Sequence, residues 1–369
     1  MSMSVIRSVV TALGAACVIA LATAPAVLAA PKKTHLLAMG GCPPWKVIEG
    51  DPEATRQMKE SCQNDVNAIV AGFKKALALD DANIMTRVDE QATAQGVRKA
   101  FVELDEREKS GDRVIIYMNF HGGNIDANYN GYDIEDEVLA MYTAEEPKDF
   151  RHATINGDWL TMKAVRDLTN EIEAEEIVLI FEVCEVAAGY KNFRYNFSRR
   201  TQRDWKGREA VIFTSRGDQA ATFNEDGTLA LFTELFSKGL ETAKGGNLRD
   251  IFEQAAIDTH RSRRATCMKE ENLENLFDNR WVYLDACTQL PSAFDPYGLL
   301  DDIHVGGDTI ASRWHELKDR KPPQKTPARD EDPFAWAKDY MGEQTSGAVN
   351  AAPPMQMPAM QPAGPYYPY

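Results

Sequence analysis

The chain has 369 residues, which is enough for one large domain or two of ordinary size. It is acidic, with 41 Lys and Arg residues against 56 Asp and Glu residues and a formal net charge of −15. This charge argues against nucleic acid as a partner, because phosphate binding needs a basic face, and it suits a protein whose substrates are basic.

The first residues have the pattern of a secretory signal peptide. Arg7 supplies a positive charge, residues 9–21 are almost wholly apolar, and small residues precede a cleavage site after Ala29. The alternative is an uncleaved membrane anchor, since residues 9–30 are just long enough to span a bilayer. The small residues favour cleavage of residues 1–29, so we predict export to the periplasm or the extracellular space, with no membrane span in the mature chain.

Five cysteines lie beyond this segment, and an oxidising compartment favours their pairing. Cys42 and Cys62 are 20 residues apart, as are Cys267 and Cys287, and both pairs occupy loop-like or boundary segments. Spacing alone does not fix connectivity, so these two local disulfides are working predictions. They leave Cys184, which ends an apolar run, as a thiol.

Strand and helix patterns alternate along the rest of the chain. Short apolar runs predict strands at residues 35–39, 83–88, 114–118, 177–181 and 210–213. Helical spacing of apolar residues predicts helices over residues 52–78, 93–109, 159–172, 228–240 and 248–259. Continuous apolar runs are typical of parallel strands buried on both faces. We therefore predict an α/β domain over residues 30–315, with a mostly parallel sheet sandwiched by helices.

The composition changes towards the C-terminus. Residues 316–350 are charged and include Lys321-Pro322-Pro323, which is typical of a linker. Residues 351–369 are rich in Pro, Met, Ala and Tyr and contain few branched apolar residues from which a core could be built. We therefore predict a disordered tail after the linker.

Two of the apolar runs lead into reactive side chains. Residues 114–120 lead into His121, and residues 177–183 lead into Cys184. The carboxyl ends of parallel strands gather at one edge of a sheet, so the imidazole and the thiol are expected near one another. A thiol needs a nearby base or a lowered pKa to attack a carbonyl at neutral pH. By residue type alone, however, a Cys or a His at such a position is more often a packing residue.

Several further segments follow one another in an order that favours the catalytic interpretation. With them, the chain from about His35 to Leu240 resembles the caspase-like peptidases, specifically the metacaspases and the bacterial caspase-like proteins. The matching segments are Cys62-Gln63-Asn64-Asp65-Val66, Gly111-Asp112, His121-Gly122, Asn130-Gly131-Tyr132-Asp133, the run into Cys184, residues 210–215, residues 218–220 and residues 231–233.

The resemblance implies a caspase-like fold and a cysteine endopeptidase that works by acyl transfer through a thioester. It implies that His121 is the general base, that Cys184 is the nucleophile, and that the N–H groups of Gly122 and Cys184 form the oxyanion hole. Asp65 and Glu182 match positions that line an acidic primary pocket, which implies cleavage of proteins or peptides after Arg or Lys.

The sequence departs from the family pattern around these residues. Phe120 stands where the family has Gly, Glu182 replaces Asp, and residues 185–189 replace the usual sequence after the nucleophile. The pair Cys184-Glu185 is similar to the legumain-type peptidases, which prefer Asn. Two alternatives therefore stay open: an Asn-selective peptidase and a catalytically inactive caspase-like binding module.

An acidic cluster follows the predicted His121 strand and comprises Asp133, Glu135, Asp136 and Glu137. Its oxygen atoms could bind calcium, although the spacing matches no defined calcium loop, and a solvated acidic hairpin is the favoured interpretation. Acyl transfer itself requires no cofactor. The sequence contains no zinc-binding Cys or His motif, no Walker loop and no dinucleotide fingerprint.

Overall fold

A mostly parallel β-sheet forms the centre of the molecule in this computed structural model. The structure describes residues 33–45, 52–126, 135–148, 150–184, 207–215, 219–267 and 288–306. Several predicted features lie outside these residues: the signal peptide, the linker, the tail, Cys287 and the Asn130–Asp133 motif.

Eight strands form the sheet in the described part of the chain. They are β1 (Thr34–Gly41), β2 (Ile84–Val88), β3 (Arg113–Asp126), β4 (Glu135–Ala140), β5 (Leu160–Thr161), β6 (Glu176–Glu182), β7 (Arg208–Phe213) and β8 (Ser292–Phe294). The order of the main sheet is β2-β1-β3-β6-β7-β8; the first five of these strands are parallel, and β8 is antiparallel to β7. The predicted α/β fold with a mostly parallel sheet is confirmed.

Helices cover both faces of the sheet. They are α1 (Pro52–Ala76), α2 (Ala94–Asp105), α3 (Phe150–Asn156), α4 (Met162–Glu171), α5 (Leu231–Thr242), α6 (Leu248–Cys267) and α7 (Leu299–Asp302). Alternate strand residues point into two separate apolar clusters, one beneath α2 and α4 and the other beneath α1, α5 and α6. The strands are apolar on both faces for this reason, which explains the continuous apolar runs in the sequence.

Threonine side chains fix where two of these helices begin. The Thr93 hydroxyl accepts a hydrogen bond from the Gly96 N–H at 3.1 Å at the start of α2. The Thr161 hydroxyl accepts one from the Ala164 N–H at 3.0 Å at the start of α4. Each bond satisfies an N–H group that the first turn of a helix leaves without an intrahelical partner.

Strand β3 is longer than the apolar run predicts and changes partners along its length. Up to Phe120 it pairs with β1, and from His121 onward it pairs antiparallel with β4. Two glycines, Gly122 and Gly123, follow His121, and their missing side chains let a strand bend out of one sheet into another pairing. The expectation that the strand ends at His121 is therefore wrong: His121 lies at the point where β3 leaves the parallel sheet.

The predicted acidic hairpin exists as the β3–β4 pair, in which Glu135 and Asp136 lie opposite Asp126 and Ile125. It is not solvated throughout, since Glu137 is 3 % exposed. The side chain of Glu137 is therefore directed towards the interior of the protein.

Ion pairs lie at the amino end of the parallel strands. The Arg113 guanidinium contacts the Glu176 carboxylate at 2.6 Å, and Arg208 pairs with both Glu176 and Asp302. On the same end of the sheet, Arg166 of α4 pairs with Glu209 of β7, and both side chains are buried. Every buried carboxylate in these pairs has a cationic partner, as burial of charge requires.

Among the helices of the described residues, none combines the length and apolar character needed to cross a membrane.

Candidate active site

A pocket lies where β3 leaves the parallel sheet and where β6 ends. It is on the side of the sheet that α1 and α5 cover. Its lining includes the two predicted catalytic residues, the two predicted pocket carboxylates and a disulfide: His121, Cys184, Asp65, Glu182, Cys42 and Cys62. These residues come from segments up to 142 positions apart in the chain (184 − 42). The pairing of β3 with β6 in parallel brings His121 and Cys184 to one edge of the sheet, as the apolar runs predicted.

Strand alternation explains why the polar residues meet on one face. Tyr117 of β3 and Ile180 of β6 belong to the apolar cluster beneath α1 and α5. Two residues further along each strand, Asn119 and Glu182 have the same orientation, and they are paired in register. The two strands therefore change from apolar to polar on the same face and at the same level of the sheet.

Cys184 lies two residues beyond the end of β6 and carries a thiol, as predicted. Its Sγ accepts a hydrogen bond from the Ala221 N–H at 3.3 Å, and the same sulfur lies 3.8 Å from the Ala221 carbonyl oxygen as a donor. An N–H group directed at the sulfur stabilises negative charge there, which is the form that attacks carbonyls.

The segment that holds the Cys184 sulfur is itself anchored. The Thr222 N–H and hydroxyl both donate to the Gln289 side-chain carbonyl, at 3.1 and 2.7 Å. The amide nitrogen of Gln289 in turn donates to the Thr214 carbonyl oxygen at 2.9 Å. The position of the thiol is thus tied to the end of β7 through a chain of hydrogen bonds.

Asp65 lies on α1 and is 1 % exposed. One carboxylate oxygen accepts a hydrogen bond from the Asn119 side-chain amide at 2.6 Å, and the other accepts one from the Ala230 N–H at 2.9 Å. Ala230 precedes α5, so the positive end of that helix faces the carboxylate. Burial raises the pKa of Asp65 well above its usual value, and the neighbouring Glu182 raises it further.

Glu182 ends β6 and is 2 % exposed. Its two oxygens accept hydrogen bonds from the hydroxyls of Thr214 and Thr233, each at 2.8 Å. The Thr233 hydroxyl also bonds the Tyr117 hydroxyl at 2.7 Å. Burial raises the pKa of Glu182 to about 7, which places its ionisation near neutrality.

Both carboxylates, Asp65 and Glu182, are hydrogen-bonded by neutral donors. Their hydrogen-bond donors are an amide, a backbone N–H and hydroxyl groups; within the described ranges no Lys or Arg contributes to the pKa of either one. A cation that entered the pocket would stabilise the ionised form of both Asp65 and Glu182.

The structure thus brings together four of the five predicted site residues. The fifth, Gly122, follows His121 and is in register with Leu139 of β4. Its role as an oxyanion donor stays a prediction, as does that of the Cys184 N–H.

Sequence reasoning missed the neutral donors, namely Asn119, Thr214 and Thr233. Asn119 could have been found, because it precedes His121 by two residues and so has the same orientation on the strand. The two threonines lie within matching segments, residues 210–215 and 231–233, but their contacts with Glu182, 32 and 51 residues away, depend on packing between separate elements.

The predicted Cys42–Cys62 disulfide is confirmed, with the two Cα atoms 5.6 Å apart. Its position in the lining of the pocket was not foreseen. The second predicted pair includes Cys287, which lies outside the described residues.

The acidic hairpin was predicted to be solvated, with calcium binding as the alternative. In the part of the chain that the structure describes, no group of three or more His, Cys, Asp or Glu side chains is arranged to hold a metal ion. Asp133 lies outside that part, so calcium binding stays a prediction.

Comparisons with known proteins give limited information. No family model matches the chain, and no curated protein matches it. It is similar to the crystal structure of the protein GSU0716 from Geobacter sulfurreducens, with a TM-score of 0.43 and 15 % identity. The match covers 76 % of this chain and 96 % of that one. A likeness at this level supports no statement about activity.

Proposed function

We propose that the protein is a cysteine endopeptidase that cleaves after Arg or Lys. The observation that carries this proposal is a single pocket lined by the Cys184 thiol, the His121 imidazole and two buried carboxylates that have neutral donors. The thiol and imidazole supply the chemistry, and the carboxylates supply the preference for a basic side chain.

The reaction is acyl transfer to sulfur followed by hydrolysis. The Cys184 thiolate attacks the carbonyl carbon of the substrate, and the C–N bond breaks as the His121 imidazolium donates a proton to the leaving amine. The product is a thioester. Water then attacks the thioester while His121 accepts its proton, and the acid product leaves with the thiolate restored.

The segment beside Cys184 supports a peptide as the substrate. Phe223 forms a bridge with Ala230, and the hydrogen bonds of that bridge come from its neighbours: Leu231 N–H to Thr222 O at 2.7 Å and Asn224 N–H to Leu229 O at 2.8 Å. The N–H and C=O of Phe223 therefore point away from this hairpin. An extended peptide can pair with such an exposed edge and so present its carbonyl group to the neighbouring thiol.

The carboxylates favour a basic residue at the cleavage site on electrostatic grounds. A substrate Asp or Glu side chain would add a third buried negative charge next to Asp65 and Glu182, which is unfavourable in a site of low dielectric constant. The carboxylates of Asp65 and Glu182 would instead attract a guanidinium or ammonium group, which would act as their counter-ion.

The test combines covalent labelling with a substrate panel. Wild-type protein and Cys184→Ala are treated with iodoacetamide, and the modified peptide is identified by mass spectrometry. Both are then assayed, with and without calcium, on fluorogenic peptides that end in Arg, Lys, Asn or Asp. We expect labelling at Cys184 that abolishes cleavage, and cleavage of the Arg and Lys reporters alone.

Each other result contradicts a defined part of the proposal. Cleavage after Asn alone would indicate a legumain-like specificity, and cleavage after Asp would refute the acidic pocket. A folded protein that cleaves none of the reporters would favour a binding module that has kept the fold without the activity.

A further inference from the structure

The Cys42–Cys62 disulfide lies in the wall of the candidate active site. Cys42 directly follows β1, and Cys62 lies on α1, so the bond joins the end of a central strand to the helix that carries Asp65. Both cysteines are almost completely buried, and both line the pocket together with Cys184. The bond is therefore part of the surface that a ligand would contact.

The spacing along α1 ties this bond to the carboxylate. Cys62 and Asp65 are three residues apart, which places them on neighbouring turns of the same helix face. The disulfide fixes one turn, and the next turn presents the carboxylate to Asn119 and Ala230. If α1 shifted at Cys62, the carboxylate of Asp65 on the same helix would move as well.

Other contacts hold the rest of α1. Val66, Ile69 and Phe73 pack in the apolar cluster between the helix and the sheet. At Gly40 the helix lies so close to β1 that an added Cβ would be 2.9 Å from the Cys62 carbonyl oxygen. The fold of α1 therefore has support that is independent of the disulfide.

The shape of a basic side chain matches this arrangement. Arg and Lys have three or four methylene groups followed by a charged end, and the stem packs on apolar surface while the charge reaches a polar partner. The pocket that Cys184 and Asp65 line also has the disulfide, Val183 and Ala230 in its lining, and these supply apolar surface. The sulfur atoms are polarisable and suit contact with methylene groups.

We infer that the Cys42–Cys62 disulfide is a positioning element of the pocket for basic side chains: it contacts the aliphatic stem and holds Asp65 at the distance that the charged end needs. This inference rests on the proposed function and goes beyond it, because it assigns a role in substrate selection to a bond that would otherwise be read as a structural link. Breaking the bond should weaken binding of the basic residue more than it slows acyl transfer at Cys184.

The test compares the double variant Cys42→Ala/Cys62→Ala with Ile69→Val, a control in the buried core of the same helix. Kinetics on the Arg reporter are measured for both, together with the rate at which iodoacetamide modifies Cys184. Binding of Nα-acetyl-arginine amide is measured by calorimetry in the background of Cys184→Ala, which requires no turnover.

We expect the double variant to raise KM for the Arg reporter about tenfold, with kcat and the alkylation rate within about twofold of wild type. The dissociation constant of acetyl-arginine amide should rise by a similar factor, while Ile69→Val leaves both quantities within about twofold.

Three outcomes would overturn the inference: an unchanged KM and dissociation constant in the double variant, an equal change in Ile69→Val, or no binding of acetyl-arginine amide by the disulfide-bonded protein. Absence of turnover by wild type would count against the proposed function alone, since the calorimetric comparison would still report on the disulfide.

Discussion

The buried carboxylates at the two ends of the parallel sheet have different kinds of partner. At the amino end, Glu176 and Glu209 are buried and have arginine partners, with Arg166 and Glu209 isolated from solvent together. At the carboxyl end, Asp65 and Glu182 are equally buried but have neutral donors. The buried carboxylates at the first end are paired with arginine side chains of the protein, and those at the second end are hydrogen-bonded to neutral groups.

Because of this difference, we expect substitutions at the two ends of the sheet to affect different properties of the protein. A paired buried charge contributes little net stability but is costly to disrupt, because its partner is left uncompensated. A buried carboxylate that lacks a cation already carries that cost in the folded state, and proteins keep such groups mainly at sites that bind or react. Substitutions at the amino end should therefore affect folding, and substitutions at the carboxyl end should affect activity.

The largest expected effect is at the carboxyl end. Changing His121→Ala should lower kcat/KM for the Arg reporter by about a thousandfold or more, because the leaving amine loses its proton donor. The free energy of unfolding should change by less than about 1 kcal/mol, since the imidazole is partly exposed. Steady-state kinetics and urea unfolding measure the two quantities; activity kept within about tenfold of wild type would contradict the assignment of the dyad.

At the amino end, Glu209→Gln should have the converse effect. It removes the carboxylate charge that Arg166 contacts in a buried pair, so the free energy of unfolding should fall by about 3 to 5 kcal/mol in urea titrations. Activity per folded molecule should stay within about twofold of wild type.

Asp167→Asn is the matched control for that change. It breaks the exposed pair between Lys163 and Asp167 on α4, the helix that carries Arg166. The free energy of unfolding should fall by less than about 0.5 kcal/mol. If Glu209→Gln instead removed activity without loss of stability, the two ends of the sheet would not differ in the way described.

The third prediction concerns pH. The pKa of Glu182 is raised by burial from 4.5 to about 7, so the folded protein holds a proton that the unfolded chain releases between these values. The stability contributed by protonated Glu182 is therefore fully present below about pH 4.5 and is lost as the pH rises through 7. Asp65 shifts in the same direction, and the two carboxyls titrate as a coupled pair.

Glu182→Gln removes one member of this pair. Relative to wild type, its free energy of unfolding should increase by on the order of 3 kcal/mol between pH 4.5 and about pH 8. Urea unfolding of both proteins across this range measures the difference. Two parallel stability curves would mean that the pKa of Glu182 is the same in the folded and the unfolded protein.

The smallest expected effect comes from a single neutral donor. Changing Thr214→Val removes one hydrogen bond to Glu182 and makes its ionised form less favourable by about 1 kcal/mol. KM for the Arg reporter should rise about fivefold at pH 7, because fewer molecules present the carboxylate to the cation. Thr259→Val, at a buried threonine of α6, is the control and should leave KM unchanged; equal effects of the two changes would refute the role of the donor.

Much of the fold could be predicted from the sequence, because apolar runs and helical spacing are local patterns. The apolar runs before His121 and Cys184 predicted parallel neighbours, and the helical spacing of Val66, Ile69 and Phe73 predicted the helix that carries Asp65. The electrostatic state of the pocket could not be predicted in this way. It depends on donors such as Thr214 and Thr233, whose approach to Glu182 is decided by packing between distant elements.

The extension of β3 shows a second limit. The glycines after His121 indicate that the chain can bend there, but a glycine does not specify which strand pairs with the next residues. The strand β8 was also missed: it has three residues, and its antiparallel pairing to β7 depends on where the chain returns to the sheet edge.

The polar residues at both ends of the sheet depend on the register of β3 with β6. Arg113 is paired with Glu176 at one end of this ladder, and Asn119 with Glu182 at the other, with apolar residues between them. Those apolar residues face cores on both sides, so a slip by one position would still bury them. The same slip would turn both polar pairs towards the wrong layer of helices. These two polar pairs therefore favour the observed alignment of the central strands over one shifted by a single residue.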